Sequence, residues 1–180
     1  MKNNINSFLA RLKSTDNLKG GIAIDIGART GKDCIFLKEN GYKVTAVDKN
    51  IDLLKTNLNE ADFDIVEGDI SNINLGKEKY DLVLANNVLP FVHKNRIADT
   101  IINITNAVKR DGFFCFSLFG KEDEWNGKEM MNFHTYQESL NILSGLPLDI
   151  FFQSTEKGYG PTMKGNTKFW EMHKFIVKKR

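Results

Sequence analysis

The chain has 180 residues, of which 41% are hydrophobic and 27% charged, and its formal net charge is +2. That length suits one domain with a full-sized core. Lysine and arginine alternate with aspartate and glutamate throughout, which argues against a nucleic-acid partner. No run approaches the roughly 20 apolar residues needed to cross a bilayer, so no membrane association is expected. The closing Lys178-Lys179-Arg180 reads as a solvated basic tail. Met1 to Asn17 carries no secretory pattern, and Cys34 and Cys115 have neither metal nor redox spacing. Two buried free thiols in a cytoplasmic protein are the expectation.

In chain order, Ile5, Phe8, Leu9 and Leu12 predict a short amphipathic helix that covers an apolar surface. "GIAIDIG" follows as a strand, and "GKDCIFLKEN" as a helix closed by a left-handed Gly41. "YKVTAVD" is the next strand. "NIDLLKTNLNE" is the next helix, with Leu54 and Leu58 on one face. "FDIVEGD" and "YDLVLANNV" are two further strands. In "HKNRIADTIINITNAVK", Ile97, Ile101, Ile104 and Val108 fall at helical spacing and face a sheet. The apolar "GFFCFSLFG" is a strand, and "HTYQESLNIL" opens on a capping box between Thr135 and Glu138. The strand-like runs "PLDIFFQSTE" and "FWEMHKFIVKK" come last, joined by "KGYGPTMKGN" with no helix between, so they pair antiparallel. The expected fold class is α/β, doubly wound and mostly parallel, with a C-terminal antiparallel hairpin.

In such sheets the ligand sits at the carboxyl ends of the strands, beside the first one. The loop there is Gly27-Ala28-Arg29-Thr30-Gly31. A dinucleotide fingerprint would need glycine where Arg29 and Lys32 stand, and Asp33 breaks the Gly-Lys-Ser/Thr phosphate pattern. A nicotinamide-dependent oxidoreductase is therefore disfavoured. The other polar groups suit a nucleoside that carries a cation. Asp48 closes the second strand, where an acid accepts from both ribose hydroxyls. Asp69, read as the end of the third strand, can reach an adenine amino group while Ile70 packs on the ring. Asp25 can pair with an ammonium. S-adenosylmethionine unites adenosine, sulfonium and an amino-acid tail in one molecule.

"IAIDIGARTGKDCIFLKENGYKVTAVDKN" resembles the glycine loop and second strand of the class I S-adenosylmethionine-dependent methyltransferases. The similarity is strongest to the small bacterial group that includes the tellurite-resistance methyltransferases. It continues through "EGDI", "YDLVLANNVLPFV", "FHTYQESLNIL" and "GPTMKGNTKFWEMHKFIVKK". Ala28 and Arg29 depart from the small pair that is usual in this loop. The resemblance implies a Rossmann-like seven-stranded sheet, S-adenosylmethionine as cofactor and methyl transfer to a small-molecule acceptor. It implies an N-terminal helical cover (residues 1–20), a cofactor-binding core (21–120) and substrate-side loops with the terminal hairpin (121–180). Gly27, Ala28 and Gly31 would then lie under the methionine part, with Arg29 pointing outward or reaching its carboxylate. Asp48 would hold the ribose, Lys49 would flank the adenine, and Asp69 and Ile70 would hold it. Asn86, Asn87 and Val88 would line the junction of cofactor and acceptor.

The acceptor is less legible. Asn86-Asn87 lacks the Asn-Pro-Pro-aromatic signature of nucleic-acid amino methyltransferases. His93, His134 and His173 show no metal-ligand spacing, so no metal is expected. His93 is the best general-base candidate, although a surface histidine at a helix start accounts for it better. Phe91, Trp125, Tyr136, Tyr159 and Trp170 could build an aromatic acceptor pocket, with Trp125 and Tyr159 the least explained by core packing. A binding module that holds the cofactor without catalysis is the alternative function.

Overall fold

The computed structural model describes residues 6–180. Its strands are β1 (Gly21–Ile26), β2 (Tyr42–Asp48), β3 (Asp64–Glu67), β4 (Tyr80–Ala85), β5 (Val108–Phe119), β6 (Leu148–Pro161) and β7 (Thr167–Lys179). They form one seven-stranded sheet in the order β3-β2-β1-β4-β5-β7-β6. The first five pair parallel, and β7 lies antiparallel between β5 and β6. The expected mostly parallel sheet with a terminal hairpin is what the chain adopts.

Both faces of the sheet are covered, so its central strands are apolar on both sides. Alternation still assigns each residue to a face. Ala23, Leu82, Leu84, Phe113 and Cys115 point to one core, shared with α1 (Ser7–Ser14), α2 (Lys32–Glu39) and α3 (Asp52–Asn57). Ile24, Ile26, Val83, Phe114 and Phe116 point to the other, closed by α4 (Ile97–Ala107) and α5 (Tyr136–Leu143). On α1, Phe8, Leu9 and Leu12 are buried, which is the covering role their spacing predicts; Ile5 lies outside the described residues.

Several boundaries differ from the sequence expectation. The helix predicted from His93 starts at Ile97, because Leu89–Phe91 forms a 3-10 turn and residues 92–96 run on as a loop. Val108 does not close that helix but opens β5. The predicted loop "KGYGPTMKGN" is half strand: ladder pairs from Lys157↔Glu171 to Pro161↔Thr167 carry the hairpin outward, leaving residues 162–166 as its turn. Glycines lower strand propensity, but a long antiparallel partner supplies backbone hydrogen bonds that override it. Other local signals hold: Gly41 has a φ of 85°, and the Thr135–Glu138 capping box is present. Among the described residues no helix is long and apolar enough to cross a membrane.

Candidate functional site

The strand order reverses between β1 and β4, and the chain leaves these two strands in opposite directions across the sheet. A crevice opens there at the carboxyl ends. It holds a cavity of about 610 Å³. One end is polar, with Asp25, Arg29, Thr30, Asp33, Asp48 and Lys49; the other is aromatic, with Phe91, Phe119, Trp125 and Trp170. Asn86, Asn87 and Val88 lie on its wall as well.

The β1–α2 turn shapes the polar end. Gly27 has a φ of 74°, and a Cβ there would stand 2.7 Å from Val88 Cγ2. Glycine is thus required for the contact with the β4 loop as well as for the backbone angle. Gly31 also has a φ of 74° and is backed by the Leu58 side chain, but it does not border the cavity. Arg29 stands in the left-handed region at 49°, where glycine is the easier residue. Its backbone N–H donates to Asp48 Oδ2 (2.8 Å), and Asp48 Oδ1 accepts from Asn50 N (3.2 Å). Arg29 is exposed and borders the cavity.

Asp25 is 4% exposed, and its partner among the described residues is the Cys34 thiol, which donates to Oδ2 at 3.4 Å. Burial, aided by the nearby Asp33 charge, pushes its carboxyl up to about 8. Burial also pushes the Cys34 thiol up, so it stays protonated. Asp33, raised by burial too, accepts from Asn6 Nδ2 at 2.7 Å and so ties the start of α1 to the cavity.

Asp69 falls elsewhere. β3 stops at Glu67, and Asp69 lies two residues beyond it, outside the cavity lining. Its carboxylate accepts from Ser71 N (2.9 Å) and pairs with Lys49 Nζ (2.9 Å). Burial alone would raise its pKa, but these two partners outweigh that and hold it below the usual range. Gly68 and Ile70 border the cavity in its place. Asn87, at a φ of 56°, is held by buried Ser117: its N–H donates to Ser117 Oγ (2.8 Å), whose hydroxyl donates to Asn87 Oδ1 (2.9 Å). His93 does not reach the cavity; its Nδ1 accepts from Asn95 N at 3.3 Å.

At the aromatic end Phe91, Trp125 and Trp170 come together as the sequence suggested, whereas Tyr136 packs on His173 and Phe175, and Tyr159 stacks edge-on to Phe169 beside the hairpin. Phe119 and Met163 were not anticipated: the first sits in a continuous apolar strand, and the second carries no local signal. Behind the wall lies a buried ion pair between Lys168 and Asp123, 45 residues apart in sequence. No group of histidine, cysteine or acidic residues among the described residues could hold a metal ion.

A sheet of this order, with its cleft beside β1, is that of the class I S-adenosylmethionine-dependent methyltransferases. A family model described as "Tellurite resistance protein TehB" matches residues 3–136. The chain belongs to this TehB family. Among solved structures it is similar to TehB from Haemophilus influenzae (TM-score 0.76, 18% identity), covering 94% of this chain and 61% of that one. It is also similar to the Burkholderia thailandensis 1,6-didemethyltoxoflavin-N1-methyltransferase, solved with bound 1,6-didemethyltoxoflavin and S-adenosylhomocysteine (TM-score 0.72, 20% identity, 94% and 75% covered). A third is the magnesium protoporphyrin IX methyltransferase of Synechocystis with bound S-adenosylmethionine (TM-score 0.72, 18% identity, 97% and 77% covered). At these identities the likeness is one of fold. No curated protein matches the chain by sequence.

Proposed function

We propose that the chain transfers the methyl group of S-adenosylmethionine to a small-molecule acceptor, and that positioning supplies most of the rate. The observation that carries this reading is the two-ended cavity, with carboxylates at one end, an aromatic wall at the other and Asn86–Val88 along its wall. The residues fit the cofactor. Asp25 is a buried carboxyl whose partner among the described residues is a weak thiol donor, an arrangement that an incoming ammonium would satisfy. Asp48 would accept from the ribose, and Ile70 with Lys49 would flank the adenine. Gly27, Ala28 and the backbone of Arg29 would lie under the methionine part.

When bound, S-adenosylmethionine would supply a sulfonium-activated methyl: an acceptor lone pair would form the new bond to its carbon as the sulfur–carbon bond breaks, that bond's electrons staying on the departing neutral thioether. Orienting the acceptor is the task of the aromatic wall and of Asn86 and Asn87; effective molarities for oriented groups reach roughly 10⁵–10⁸ M. The side chains at the aromatic end include neither carboxylate nor imidazole. An acceptor that arrives ionised, or with a free lone pair, needs no such base. The division into a cofactor-binding core over 21–120 and a substrate side over 121–180 belongs to this reading, as does a cytoplasmic location.

The test is thermal unfolding with S-adenosylhomocysteine, followed by turnover with an acceptor set. A ligand at a hundred times its Kd adds about 2.7 kcal/mol, or roughly 5–10 °C for a chain of this size. Asp48→Ala should abolish the shift, and its persistence would overturn the ribose assignment. His93→Ala should keep turnover within about tenfold; a loss beyond roughly 10²-fold with binding intact would make His93 the base.

A further inference from the structure

The aromatic end is preformed and open. Phe91 is 43% exposed and meets Phe119 and Trp125 edge-on, at centroid separations of 5.9 and 6.4 Å. Trp170 stands 5.4 Å from Trp125, and its Nε1–H donates to the Gly160 carbonyl at 3.0 Å. Behind them Lys168, 2% exposed and paired with Asp123, holds its ammonium 3.8 Å from the Trp170 centroid and 4.5 Å from that of Trp125. This pair fixes the two indoles from the rear. The result is a rigid, ring-lined surface.

A second cavity, of about 540 Å³, runs under the β6–β7 hairpin and shares Arg29, Asn87, Met163 and Trp170 with the first. Arg29 is the only charged residue of these four. Among the described residues its guanidinium has no ion-pair or hydrogen-bond partner, whereas Lys49 is paired with Asp69, and Lys157 with Glu122 and Glu171. The loop accepts a left-handed arginine where glycine would be easier, and the residue so placed borders both cavities.

We infer that the acceptor is a planar aromatic or heteroaromatic anion, its ring against the Trp125–Trp170–Phe91 wall and its charge on Arg29. This rests on the methyltransferase reading and names the acceptor class for that site. A bare inorganic oxyanion fits the wall badly, because it would shed water against ring carbons that donate no hydrogen bonds. A planar anion buries its apolar body there and keeps its charge on a planar, bidentate donor.

Trp125 and Trp170 are the only tryptophans in the chain, so intrinsic fluorescence reports on this wall alone. The full-length protein is titrated with 4-nitrobenzoate and its neutral counterpart 4-nitrobenzamide, with cyclohexanecarboxylate and tellurite as competitors. Saturable quenching by 4-nitrobenzoate is expected, at least about tenfold tighter than by the amide and resistant to both competitors. Arg29→Met should weaken the benzoate at least about tenfold and leave the amide unchanged. Equal binding of acid and amide, displacement by tellurite, or no effect of Arg29→Met would overturn the inference. So would a loss of the S-adenosylhomocysteine shift in Arg29→Met, which would assign the guanidinium to the cofactor. Failure of the wild-type protein to shift with S-adenosylhomocysteine sinks the methyltransferase reading instead, and the two failures are thereby distinguished.

Discussion

Asp25 makes the cavity a source of pH dependence. Its carboxyl titrates near 3.8 when the chain is unfolded and near 8 in the fold, because burial disfavours the charge. Between those values the native state holds a proton that the unfolded state has released. Stability is therefore greatest below the unfolded pKa and declines as pH rises towards 8, by about 1.4 kcal/mol per unit. From pH 5 to 7 the decline amounts to about 2.7 kcal/mol. For 180 residues this is roughly 5–11 °C in Tm. Asp25→Asn mimics the protonated acid and should lack the decline. The assay is thermal unfolding of both proteins from pH 5 to 9, read as the difference in Tm so that other titrating groups cancel. The gap should widen in favour of the variant up to about pH 8 and then level. A ligand ammonium would let Asp25 ionise. S-adenosylhomocysteine binding near pH 6.5, followed by calorimetry in buffers of different ionisation heat, should then release close to one proton, and almost none in the variant. Parallel Tm profiles for the two proteins would refute the reasoning, since Asp25 would then be ionised in the native state.

Three further perturbations probe the frame around the site. Gly27→Ala puts a methyl 2.7 Å from Val88 Cγ2 at a φ of 74°, and should destabilise the chain by about 2–4 kcal/mol in denaturant unfolding. A change under about 0.5 kcal/mol would show that the β4 loop yields freely. Lys168→Met leaves the buried Asp123 carboxylate without its counter-charge, held by the Trp125 and Glu171 N–H groups, and should cost about 3 kcal/mol; adding Asp123→Leu should recover part of it in a double-mutant cycle. Thr135→Ala removes the hydroxyl that accepts from Glu138 N and should cost about 1 kcal/mol, with no effect on S-adenosylhomocysteine affinity.

The element order was legible because periodicity is local. Alternating or continuous apolar runs, the left-handed Gly41 and the Thr135–Glu138 box each lie within a few residues, and all reappear in the fold. Asp48 was legible for the same reason: a strand that ends on an acid points it into the crevice. Where local signals conflict with long-range pairing, the pairing wins. The glycine-rich run before the hairpin turn became strand because β7 offered partners along its length, and Val108 left its helix for β5. Asp69 illustrates a different limit. Its place near a strand end was visible in sequence, but its capture by Lys49 and Ser71 depends on how two loops meet. The aromatic wall is the clearest case: Phe91, Phe119, Trp125, Met163 and Trp170 come from separate loops and strands, and no spacing relates them. The sequence by itself determined the sheet and the chemistry of the polar end, since both are written in neighbouring residues. Only the tertiary structure decided the aromatic end, because a surface assembled from the ends of several elements exists only once the sheet has set their order.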